Sequence, residues 1–530
     1  MKKMKVKNNK LFYGDNLIDL RRYIKDESVD LCYIDPPFNS NRTYNQIYLN
    51  QGEEDKAQAQ AFVDTWEYDK AAEEGFIEII NNEQNRFTTQ TQLLIEGLAK
   101  VLGKGSLLAY LIHITLRVAE IQRVLKPTGS FYLHCDPTAS HYLKLVCDSI
   151  FCPNGGDFIN EIIWCYKSRH FSKTHFGRKH DVILFYSKSD KYTFNWTSIL
   201  RPLSPVTIKK FKYKDDIGYY RLCGRGIKGS PIQSAKDVDQ KWEITNPELV
   251  VRDYLKEGVP IEDYWYIEII NQSAKERLGY PTQKPEELLE KIIEASSNRG
   301  DVILDAYCGC GTTVAVAEKL HRKWIGIDIT YQSISLILKR LEDNIGKSCL
   351  EDIEVNGVPE DFESAEALAH KEDDKVRKEF EKWAILFYSN NRAKINEKKG
   401  GDGGIDGVAL IQDRDENTDI ENKKIIFSVK SDKTLLPAHI NQLKGKMHDP
   451  DVVMGIFICL YEPTRGMIKE AKEMGTYKNI LFNLEFPKLQ IVTVGDMFDK
   501  DARLTIPVIE VLKKAEYKGK KNTDQGKIDF

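Results

Sequence analysis

The feature that most constrains the fold of this 530-residue chain is a strand–turn–helix–strand pattern between residues 302 and 329. The apolar run VILD predicts a strand, the segment AYCGCG a tight turn, TTVAVAEKL a helix and KWIGIDI a second strand. Two strands joined by such a crossover lie parallel, because the helix carries the chain back along the sheet. Strand and helix patterns also alternate over residues 29–187. The sequence therefore predicts an α/β fold with a doubly wound, mostly parallel sheet.

Length and composition narrow the class of protein. At 530 residues the chain is too long for one hydrophobic core, so two or three domains are expected. Its 41% hydrophobic and 30% charged residues are typical of a globular protein, and the net charge of −3 means that any nucleic-acid surface is local. The ten cysteines lie mostly in apolar runs and lack zinc-site spacing. No apolar run approaches the length of a membrane span, so we expect a cytoplasmic protein without membrane contact.

The glycine turn at residues 306–311 has the properties of a site for a nucleotide-like ligand. Gly309 and Gly311 let the backbone approach a ligand closely, and the following helix offers free N–H groups. The spacing differs from the dinucleotide G-x-G-x-x-G and from the phosphate loop, which argues against a pyrophosphate ligand. Asp328, at the end of the next strand, can accept hydrogen bonds from ribose hydroxyls. An ordinary glycine turn beside a strand-end Asp is the alternative.

Another predicted strand, VDLCYID, runs into Asp35, Pro36, Pro37 and Phe38. The exocyclic amine of adenine or cytosine is a poor nucleophile, and a carboxylate with a backbone carbonyl can accept hydrogen bonds from both of its N–H groups. The nitrogen lone pair then becomes available for in-line attack on a methyl sulfonium. The prolines fix the loop, and Phe38 can stack on a base taken out of the duplex. Standing alone, a strand-end D-P-P is more typical of a plain turn.

Residues 166–230 form an irregular, basic segment between the two α/β blocks. The segment contains ten Lys and five Arg against four Asp, with Tyr, Phe and Trp196 interleaved. A solvated basic face is the ordinary explanation of such a charge run. The interleaved aromatic residues and the position of the segment favour contact with nucleic acid.

Together these motifs resemble those of the DNA amino-methyltransferases, in the circularly permuted group whose catalytic motif precedes the cofactor motif. Residues 35–38 match the catalytic tetrapeptide, and YCGCG (307–311) matches the cofactor motif F-x-G-x-G with Tyr for Phe. The segment TQKP (282–285) matches the one that in this group precedes the cofactor motif and contacts the methionine part of the cofactor. The dipeptide GD (14–15) is similar to the start of the family. The order of these four motifs makes the resemblance specific over about residues 10–345.

The resemblance implies a methyltransferase fold over residues 1–345, with a target-recognition insert at about 166–270 and duplex DNA as the partner. It also implies S-adenosyl-L-methionine as the cofactor. The residues implied to bind this cofactor are Asp15, Thr282, Lys284, Asp305, Tyr307, Gly309, Gly311, Thr312 and Asp328. In this family an Asp at the first position of the tetrapeptide is usual for N6-adenine methylation, and Ser for N4-cytosine. Asp35 therefore favours adenine, with N4-cytosine, RNA or a protein amine as alternatives.

A second pattern lies nearer the C-terminus. The turn GGDGGIDG (400–407) is followed by KKIIFSVKSDK (423–433). An Asp at a strand start, with a strand that ends in Lys some way downstream, resembles the core of the PD-(D/E)XK nucleases. The methylation-dependent restriction endonucleases, with a similar G-x-D-G turn, are the nearest type.

This second resemblance implies an α/β restriction-endonuclease-like domain over residues 376–530. Phe380 and Trp383, on a predicted helix over residues 376–388, fit the packing helix of such a core. The acidic and polar segment 346–375 is expected to be a linker between the two domains.

In a nuclease site of this type Asp406 and a second acid would bind a divalent cation such as Mg²⁺, while Lys430 would orient the attacking water. Ser428 occupies the usual position of the second acid, and with fewer carboxylates Mg²⁺ binds more weakly. Glu379 on the helix or Asp402 in the turn is expected to substitute. The predicted nuclease residues are therefore Glu379, Asp406 and Lys430, with Asp406 as the metal ligand.

Three hypotheses about function follow from these motifs. The first is a site-specific adenine methyltransferase fused to a nuclease, as in restriction–modification, where methylation protects the sites that the nuclease would cut. The second is the same transferase with a C-terminal domain that only binds DNA or a partner. In either case the chain could act as a homodimer or with a restriction subunit. The third is a nucleotide-binding regulator without catalysis, which requires residues 35–38 and the glycine turn to be coincidental.

Overall fold

The computed structural model describes residues 7–508, except for residues 39–41, 47–48, 51–52, 55–58, 65, 168–172, 175, 225–237, 239, 272–273, 279, 281, 371–373, 397–403 and 415–419. Asp402, one of the acids predicted to substitute in the nuclease site, lies outside the described residues. Two main sheets, one of nine strands and one of five, organise the described chain. None of the helices described is both long and apolar enough to cross a membrane.

The first 356 residues contain sixteen described strands. These are β1 (Asn9–Tyr13), β2 (Val29–Ile34), β3 (Arg42–Gln46), β4 (Leu49–Asn50), β5 (Glu53–Glu54), β6 (Ala59–Asp64), β7 (Leu125–Cys135), β8 (Asp157–Cys165), β9 (His180–Ser187), β10 (Tyr213–Lys214), β11 (Tyr219–Gly224), β12 (Val250–Tyr254), β13 (Tyr264–Tyr266), β14 (Val302–Asp305), β15 (Lys323–Asp328) and β16 (Ile353–Asn356). The α-helices up to the same point are α1 (Asn16–Tyr23), α2 (Lys70–Asn81), α3 (Thr89–Leu102), α4 (Ser106–Val124), α5 (Ser140–Phe151), α6 (Pro205–Ile208), α7 (Gln240–Thr245), α8 (Glu286–Ser296), α9 (Thr312–Lys319) and α10 (Tyr331–Ile345).

Further along the described chain, helices and strands form a smaller unit. Its helices are α11 (Phe362–Ala369), α12 (Asp374–Tyr388), α13 (Pro437–Lys446), α14 (Arg465–Lys472) and α15 (Val494–Asp499). Its strands are β17 (Lys394–Ile395), β18 (Gly407–Arg414), β19 (Ile420–Lys430), β20 (Val452–Cys459), β21 (Thr476–Asn479), β22 (Leu484–Pro487) and β23 (Leu489–Thr493).

The nine-stranded sheet has the spatial order β13–β8–β9–β7–β2–β14–β15–β1–β16. Neighbouring strands in this sheet are parallel except in the pairs β7–β9 and β8–β9. Helices cover both faces of this sheet, and the central strand β2 is therefore buried along its whole length. Leu31 and Tyr33 join one hydrophobic cluster with Ile337 of α10, whereas Ile34 joins a second cluster with Leu111 of α4. The predicted doubly wound, mostly parallel α/β fold is confirmed.

Parallel pairing brings several strand ends to one edge of the sheet. Strands β1, β2, β14 and β15 run in the same direction, so the residues that follow them emerge together. Asp15 follows β1, Asp35 follows β2, the glycine turn follows β14, and Asp328 ends β15. Motifs that lie far apart in the sequence are thereby placed along a single crevice.

The segment predicted as a target-recognition insert, residues 166–270, divides between two sheets. Strands β9 and β13 lie in the nine-stranded sheet, on either side of β8. Strands β10, β11 and β12 form a separate antiparallel sheet in the middle of the segment. The part that stands apart from the main sheet is therefore shorter than the segment we expected.

Residues 346–375 were expected to be a linker, and the structure differs. Strand β16 pairs in parallel with β1, which places Ile353 opposite Asn9 at the sheet edge. Helix α11 follows, and its N-terminus is capped reciprocally by Asp361 and Ser364. The acidic composition of this segment led to the prediction of a linker. The acidic residues lie on the more exposed side of these short elements, and Ile353 is buried.

The five-stranded sheet has the order β17–β18–β19–β20–β23, with the first three strands antiparallel and the last three parallel. The predicted helix over residues 376–388 is α12, whose Phe380 and Trp383 are buried as expected. They belong to the same hydrophobic cluster as Tyr331 of α10. The smaller unit is thus packed directly against the larger one.

Candidate active site

The loop at residues 35–38 leaves the end of β2 at the crevice. The side chain of Lys284 donates a hydrogen bond to Oδ2 of Asp35 and forms an ion pair with it. Oδ1 of Asp35 is buried and has no hydrogen-bond partner among the described residues. A buried acceptor without a donor costs free energy, so its presence indicates a position for a donor from a ligand.

Lys284 was predicted to contact the methionine part of the cofactor, and the structure places its ammonium on the catalytic loop. Besides its bond to Asp35, Nζ lies 5.3 Å from the ring centroid of Phe38. Burial raises the pKa of the Cys310 thiol, and the positive charges of Arg340 and Lys284 act in the opposite direction. Lys284 is therefore close to both the catalytic loop and the glycine turn. Thr282, two residues earlier, is half-buried.

The glycine turn is shaped by positive φ angles at Gly309 (+47°) and Gly311 (+73°). A side chain at Gly311 would bring a Cβ atom within 2.6 Å of Ile337, so this position requires glycine. The backbone N–H of Gly309 donates to Oδ2 of Asp328 at 2.9 Å, and Thr330 donates its N–H to Oδ1 at 2.9 Å. Asp328 therefore ties the turn to the end of β15, and burial raises its pKa.

Asp305, predicted to bind the cofactor, lies under the turn and is only 4% exposed. Its Oδ1 accepts a hydrogen bond from the N–H of Tyr307 at 3.0 Å. Burial raises the pKa of Asp305 to about 7, and the negative charges of Asp35 and Asp328 contribute in the same direction. The three carboxyl groups therefore lie close enough to interact, although they lie at the ends of three different strands.

Tyr307 and Asp15 belong to a network that reaches helix α4. The hydroxyl of Tyr307 lies 2.8 Å from Nε2 of His113, whose pKa is held well below its ordinary value by burial and by Arg117. Asp15 caps α1 by accepting the N–H of Leu17 at 2.8 Å, and Arg117 donates to its other oxygen at 2.9 Å. Both predicted residues thus lie at the crevice, with their polar atoms already engaged by the protein.

Thr312 was predicted to bind the cofactor, but its side chain faces Arg340. It is the first residue of α9 and is buried, and its hydroxyl accepts a hydrogen bond from Arg340 at 3.1 Å. The same guanidinium donates to Glu286 at 2.8 Å and so connects α10 with the start of α8. The side chain of Thr312 therefore contacts the Arg340 guanidinium, which connects α10 with α8.

The structure also brings to the loop four residues that sequence reasoning missed. The hydroxyl of Tyr33 lies 2.8 Å from Nδ1 of His134, and Nε2 of His134 lies 3.2 Å from Oδ2 of Asp181. Tyr166 donates its hydroxyl to Oδ1 of Asp181 at 3.2 Å. The rings of His134 and Phe38 are 5.7 Å apart. A polar residue at the end of the apolar strand SFYLHC was the only sequence signal for this chain of contacts.

In the five-stranded sheet, Asp406 lies just before β18. Its Oδ2 accepts the N–H of Val429 at 2.7 Å, and the hydroxyl of Ser428 provides a further hydrogen bond. Burial raises the pKa of Asp406, whereas the positive charges of Lys430 and Lys446 lower it. The predicted pair of Asp406 and Lys430 is therefore brought together.

The second acid near Asp406 is Glu381, which sequence reasoning did not select. Burial raises the pKa of Glu381 to about 7, the negative charge of Asp406 raises it further, and Lys430 opposes both effects. No group of three or more His, Cys, Asp or Glu side chains suited to a metal ion occurs in the part of the chain that the structure describes. The cluster thus offers two carboxylates and a lysine.

The prediction that Glu379 substitutes for the missing acid does not fit the structure. Oε2 of Glu379 accepts hydrogen bonds from the N–H of Tyr331 at 3.2 Å and from the hydroxyl of Tyr13 at 3.4 Å. Lys382 pairs with its other oxygen at 2.8 Å. Positions two apart on a helix lie about 200° apart around its axis, so Glu379 faces the larger unit while Glu381 faces Asp406.

Comparisons with known proteins divide the chain in the same way. A family model described as DNA methylase matches residues 29–339, from β2 to α10. A second model, described as restriction endonuclease, matches residues 376–483, from α12 to β21. The first segment contains the crevice around Asp35, and the second contains the cluster around Asp406.

Individual DNA methyltransferases are similar to part of this chain. DNA adenine methyltransferase YhdJ of Escherichia coli (strain K12) is 28% identical over 334 residues, which cover 63% of this chain and 82% of that protein. Type II methyltransferase M.EcaI of Enterobacter cloacae is 30% identical over 263 residues, which cover 44% of this chain and 57% of that protein. A solved structure, PvuII DNA methyltransferase (cytosine-N4-specific), is 14% identical with a TM-score of 0.35, and the match covers 66% of this chain and 95% of that one.

Proposed function

Since this chain belongs to the DNA methylase family, we propose that it transfers the methyl group of S-adenosylmethionine to the N6 amine of adenine in duplex DNA. The observation that carries the proposal is the buried, unpartnered Oδ1 of Asp35 at the crevice that also contains the glycine turn. This atom is the acceptor that an exocyclic amine needs. No protein donor among the described residues occupies it.

The proposed mechanism follows from how the amine would be bound. Oδ1 of Asp35 accepts one N–H of the amine, and the backbone carbonyl of Pro36 accepts the other. Two acceptors draw the nitrogen toward a tetrahedral geometry, which frees its lone pair for attack. Lys284 holds the second oxygen of Asp35 and so fixes the direction in which Oδ1 points. The N–C bond would form as the S–C bond breaks and its electron pair stays on sulfur. The methylated nitrogen, still held by Asp35, would then lose one proton to water.

The residues of the glycine turn fit the cofactor. When bound, S-adenosylmethionine supplies an electrophilic methyl group on a sulfonium. Asp328, half-buried at the end of β15, would accept hydrogen bonds from the ribose hydroxyls, and the turn at Gly309 and Gly311 allows close backbone approach. Asp305 would act from beneath by holding the turn through Tyr307.

The target base has to leave the duplex to reach this crevice. Phe38 would stack on the extruded base, and the segment at residues 166–270 would bind the flanking duplex. Exposed aromatic side chains support this second role: Trp196 and Tyr266 are 53% and 80% exposed. Aromatic groups interleaved with Lys and Arg suit both the phosphates and the base edges.

The choice of adenine rests on Asp35 as the first residue of the tetrapeptide, and the name of one relative, a DNA adenine methyltransferase, agrees with it. Both amines require the same pair of acceptors, so N4-cytosine is the alternative product. Nucleoside mass spectrometry of duplex DNA methylated by the purified enzyme distinguishes the two. We expect N6-methyladenine, and N4-methylcytosine without N6-methyladenine would overturn the proposal.

A second assay follows the transfer of tritiated methyl groups to duplex DNA, single-stranded RNA and protein in parallel. Asp35→Ala is the variant expected to be inactive. Asp343→Asn, an exposed acid on α10, serves as the matched control. Long-read sequencing of DNA from an expressing host would then identify the recognition sequence. Transfer to RNA or protein in preference to duplex DNA would contradict the proposed substrate.

A second candidate function, metal-dependent DNA cleavage, is favoured by the placement of Glu381 beside Asp406 and Lys430. Two half-buried carboxylates close to each other repel, and a divalent cation relieves this repulsion. Glu381 and Asp406 would hold Mg²⁺, which would activate water, and Lys430 would stabilise the charge that develops on the phosphate. Methylation and cleavage in one chain form a restriction–modification system.

Supercoiled plasmid with Mg²⁺ or Mn²⁺ tests this second function. We expect nicking by the wild type, and loss of nicking in Glu381→Gln, Asp406→Asn and Lys430→Ala. Glu379→Gln is the matched control, because it lies on the same helix and faces away from the cluster. If no metal supports cleavage by the wild type, the C-terminal domain is left as a module that binds DNA or a partner. Cleavage that survives in all three variants would overturn the site.

A further inference from the structure

The chain of Tyr33, His134, Asp181 and Tyr166 joins three neighbouring strands at the catalytic edge. Tyr33 lies on β2, His134 on β7 and Asp181 on β9, and these strands are adjacent in the sheet. Tyr166 follows the end of β8. The chain is therefore a cross-strand connection at the end of the sheet from which the catalytic loop leaves.

In the neutral form of His134, one tautomer satisfies both hydrogen bonds of the ring. A carboxylate only accepts, so the Nε2–H of His134 donates to Asp181. Nδ1 of His134 then carries a lone pair, which accepts the hydroxyl proton of Tyr33. Burial raises the pKa of Tyr33 well above its ordinary value, so this hydroxyl keeps its proton. The imidazole is held at both nitrogens and cannot rotate without breaking a bond.

The held imidazole packs against Phe38, the last residue of the catalytic tetrapeptide. The two ring planes are inclined by 31° at a centroid distance of 5.7 Å. Trp164 of β8 meets the same imidazole edge-on at 5.5 Å and fixes its position from another side. His134 is fully buried, so Phe38 rests on a support that solvent does not reach.

A purely structural role would not require this polar arrangement. Strands β2, β7 and β9 are already joined by backbone hydrogen bonds in register. A buried imidazole and carboxylate cost desolvation free energy, and an apolar side chain at position 134 would fill the same space without that cost. The hydrogen bonds of the polar chain restrict the His134 ring to a single orientation, whereas packing alone would allow several.

We propose that His134 is a positioning residue for methyl transfer, held by Tyr33 and Asp181 so that its ring sets the orientation of Phe38. The inference rests on the proposed function, in which Phe38 stacks on the target base. An extruded base that stacks on Phe38 is aligned with Oδ1 of Asp35 only while Phe38 is itself aligned. His134 acts through Phe38 and does not touch the reacting atoms.

Tyr33→Phe tests this proposal with the removal of one hydroxyl. The matched control is Tyr132→Phe. Tyr132 is buried and pairs with Tyr33 in register, and its hydroxyl shares a hydrogen bond of 2.7 Å with the hydroxyl of Ser296 in α8. We expect Tyr33→Phe to lower kcat about 10-fold, with the KM for S-adenosylmethionine within about 2-fold of wild type. Tyr132→Phe should lower the melting temperature about as much as Tyr33→Phe does, but it should leave kcat unchanged. Equal kcat values in the two variants would overturn the proposal.

A kinetic double-mutant cycle separates positioning from a general loss of packing. If His134 acts through Phe38, then Tyr33→Phe should have little further effect on kcat in a Phe38→Leu background. Full multiplication of the two effects would contradict the proposed route. Should Tyr33→Phe fail to fold, Asp181→Asn replaces it in the same cycle, because the amide retains the shape and weakens the bond to Nε2.

The two proposals fail in different ways. Retention of near-normal methyl transfer in Asp35→Ala would remove the proposed function of the loop, and the inference about His134 with it. Loss of transfer in Asp35→Ala, together with equal kcat for Tyr33→Phe and Tyr132→Phe, would leave the proposed function intact. Only the positioning role of His134 would then be wrong.

Discussion

The two candidate sites of this chain each place carboxylates next to a buried strand, but they hold them differently. At the end of β2, Asp35 has one oxygen fixed by Lys284 and the other without a partner among the described residues. At the start of β18 and on α12, Asp406 and Glu381 are close enough for the charge of Asp406 to raise the pKa of Glu381. The first arrangement leaves one acceptor free, and the second concentrates negative charge.

This difference corresponds to the groups that the two sites would bind. An exocyclic amine is neutral and donates hydrogen bonds, so a single oriented acceptor suffices. A phosphodiester is anionic and is repelled by carboxylates, so a site made of carboxylates requires a cation between them. On these proposals, carboxylates of one chain would bind a hydrogen-bond donor in one region and a metal ion in the other.

Removal of the free acceptor should have the largest effect. We expect Asp35→Ala to lower kcat for methyl transfer by about 1,000-fold or more, as loss of a key polar contact in the transition state does. Binding of S-adenosylmethionine, measured by calorimetry, should change by less than about 3-fold because the glycine turn is untouched. Plasmid nicking by the C-terminal site should be unaffected. A loss of cofactor affinity equal to the loss of kcat would show that the loop shapes the cofactor site instead.

Release of the second oxygen of Asp35 should have an intermediate effect. Lys284→Met keeps the length of the side chain and removes the ammonium that fixes the carboxylate. We expect kcat to fall about 10- to 100-fold, because a misaligned acceptor no longer meets the amine. Single-turnover kinetics at saturating cofactor measures this effect on chemistry. If only the KM for S-adenosylmethionine rose, Lys284 would serve the cofactor, as the sequence resemblance implied.

Asp305 and Glu381 should make similar contributions to the pH dependence of the free energy of unfolding. We expect Mg²⁺ to change the contribution of Glu381 and not that of Asp305. Asp305 and Glu381 both have a pKa raised to about 7. The folded state binds these protons more tightly than the unfolded state, so each group adds stability as the pH falls from above 7 toward about 4. Asp305→Asn and Glu381→Gln should each remove up to about 1.4 kcal/mol per pH unit of this dependence.

Denaturant unfolding at pH 8 and pH 6, with EDTA or with Mg²⁺, measures these contributions. Mg²⁺ should suppress the share that depends on Glu381, because a bound cation keeps that carboxylate ionised, and should leave the share of Asp305 unchanged. An identical response to Mg²⁺ in both variants would contradict the assignment of the metal to the cluster of Glu381 and Asp406.

The contact between the two regions should give the smallest effect. Glu379→Gln weakens the hydrogen bonds from Tyr331 and Tyr13 and the ion pair with Lys382. We expect a loss of about 1 kcal/mol in the free energy of unfolding. Glu363→Gln, an exposed acid on α11, is the control and should change nothing measurable. A loss of several kcal/mol would mean that the two units depend on each other for folding.

Much of the fold and the family followed from the sequence, because the decisive motifs are short and continuous. Residues 35–38 and YCGCG (307–311) each occupy one turn, and their strands are apolar enough to predict a parallel sheet. The resemblance to DNA amino-methyltransferases, with a restriction-endonuclease-like domain, is confirmed by the two matched family models. The domain boundaries and a homodimer or restriction-subunit partner stay predictions, as does cytoplasmic location.

The tertiary structure decided which polar groups meet. Lys284 and Asp35 are 249 residues apart in the chain. Their side chains meet because Lys284 lies just before α8, and α8 packs against β2, which Asp35 follows. The acid that lies near Asp406 is Glu381 and not Glu379, since a rotation of about 200° on one helix reverses the side a residue faces. Local patterns encode strands, turns and motifs, whereas these contacts depend on strand order and helix phase, which short segments of sequence do not carry.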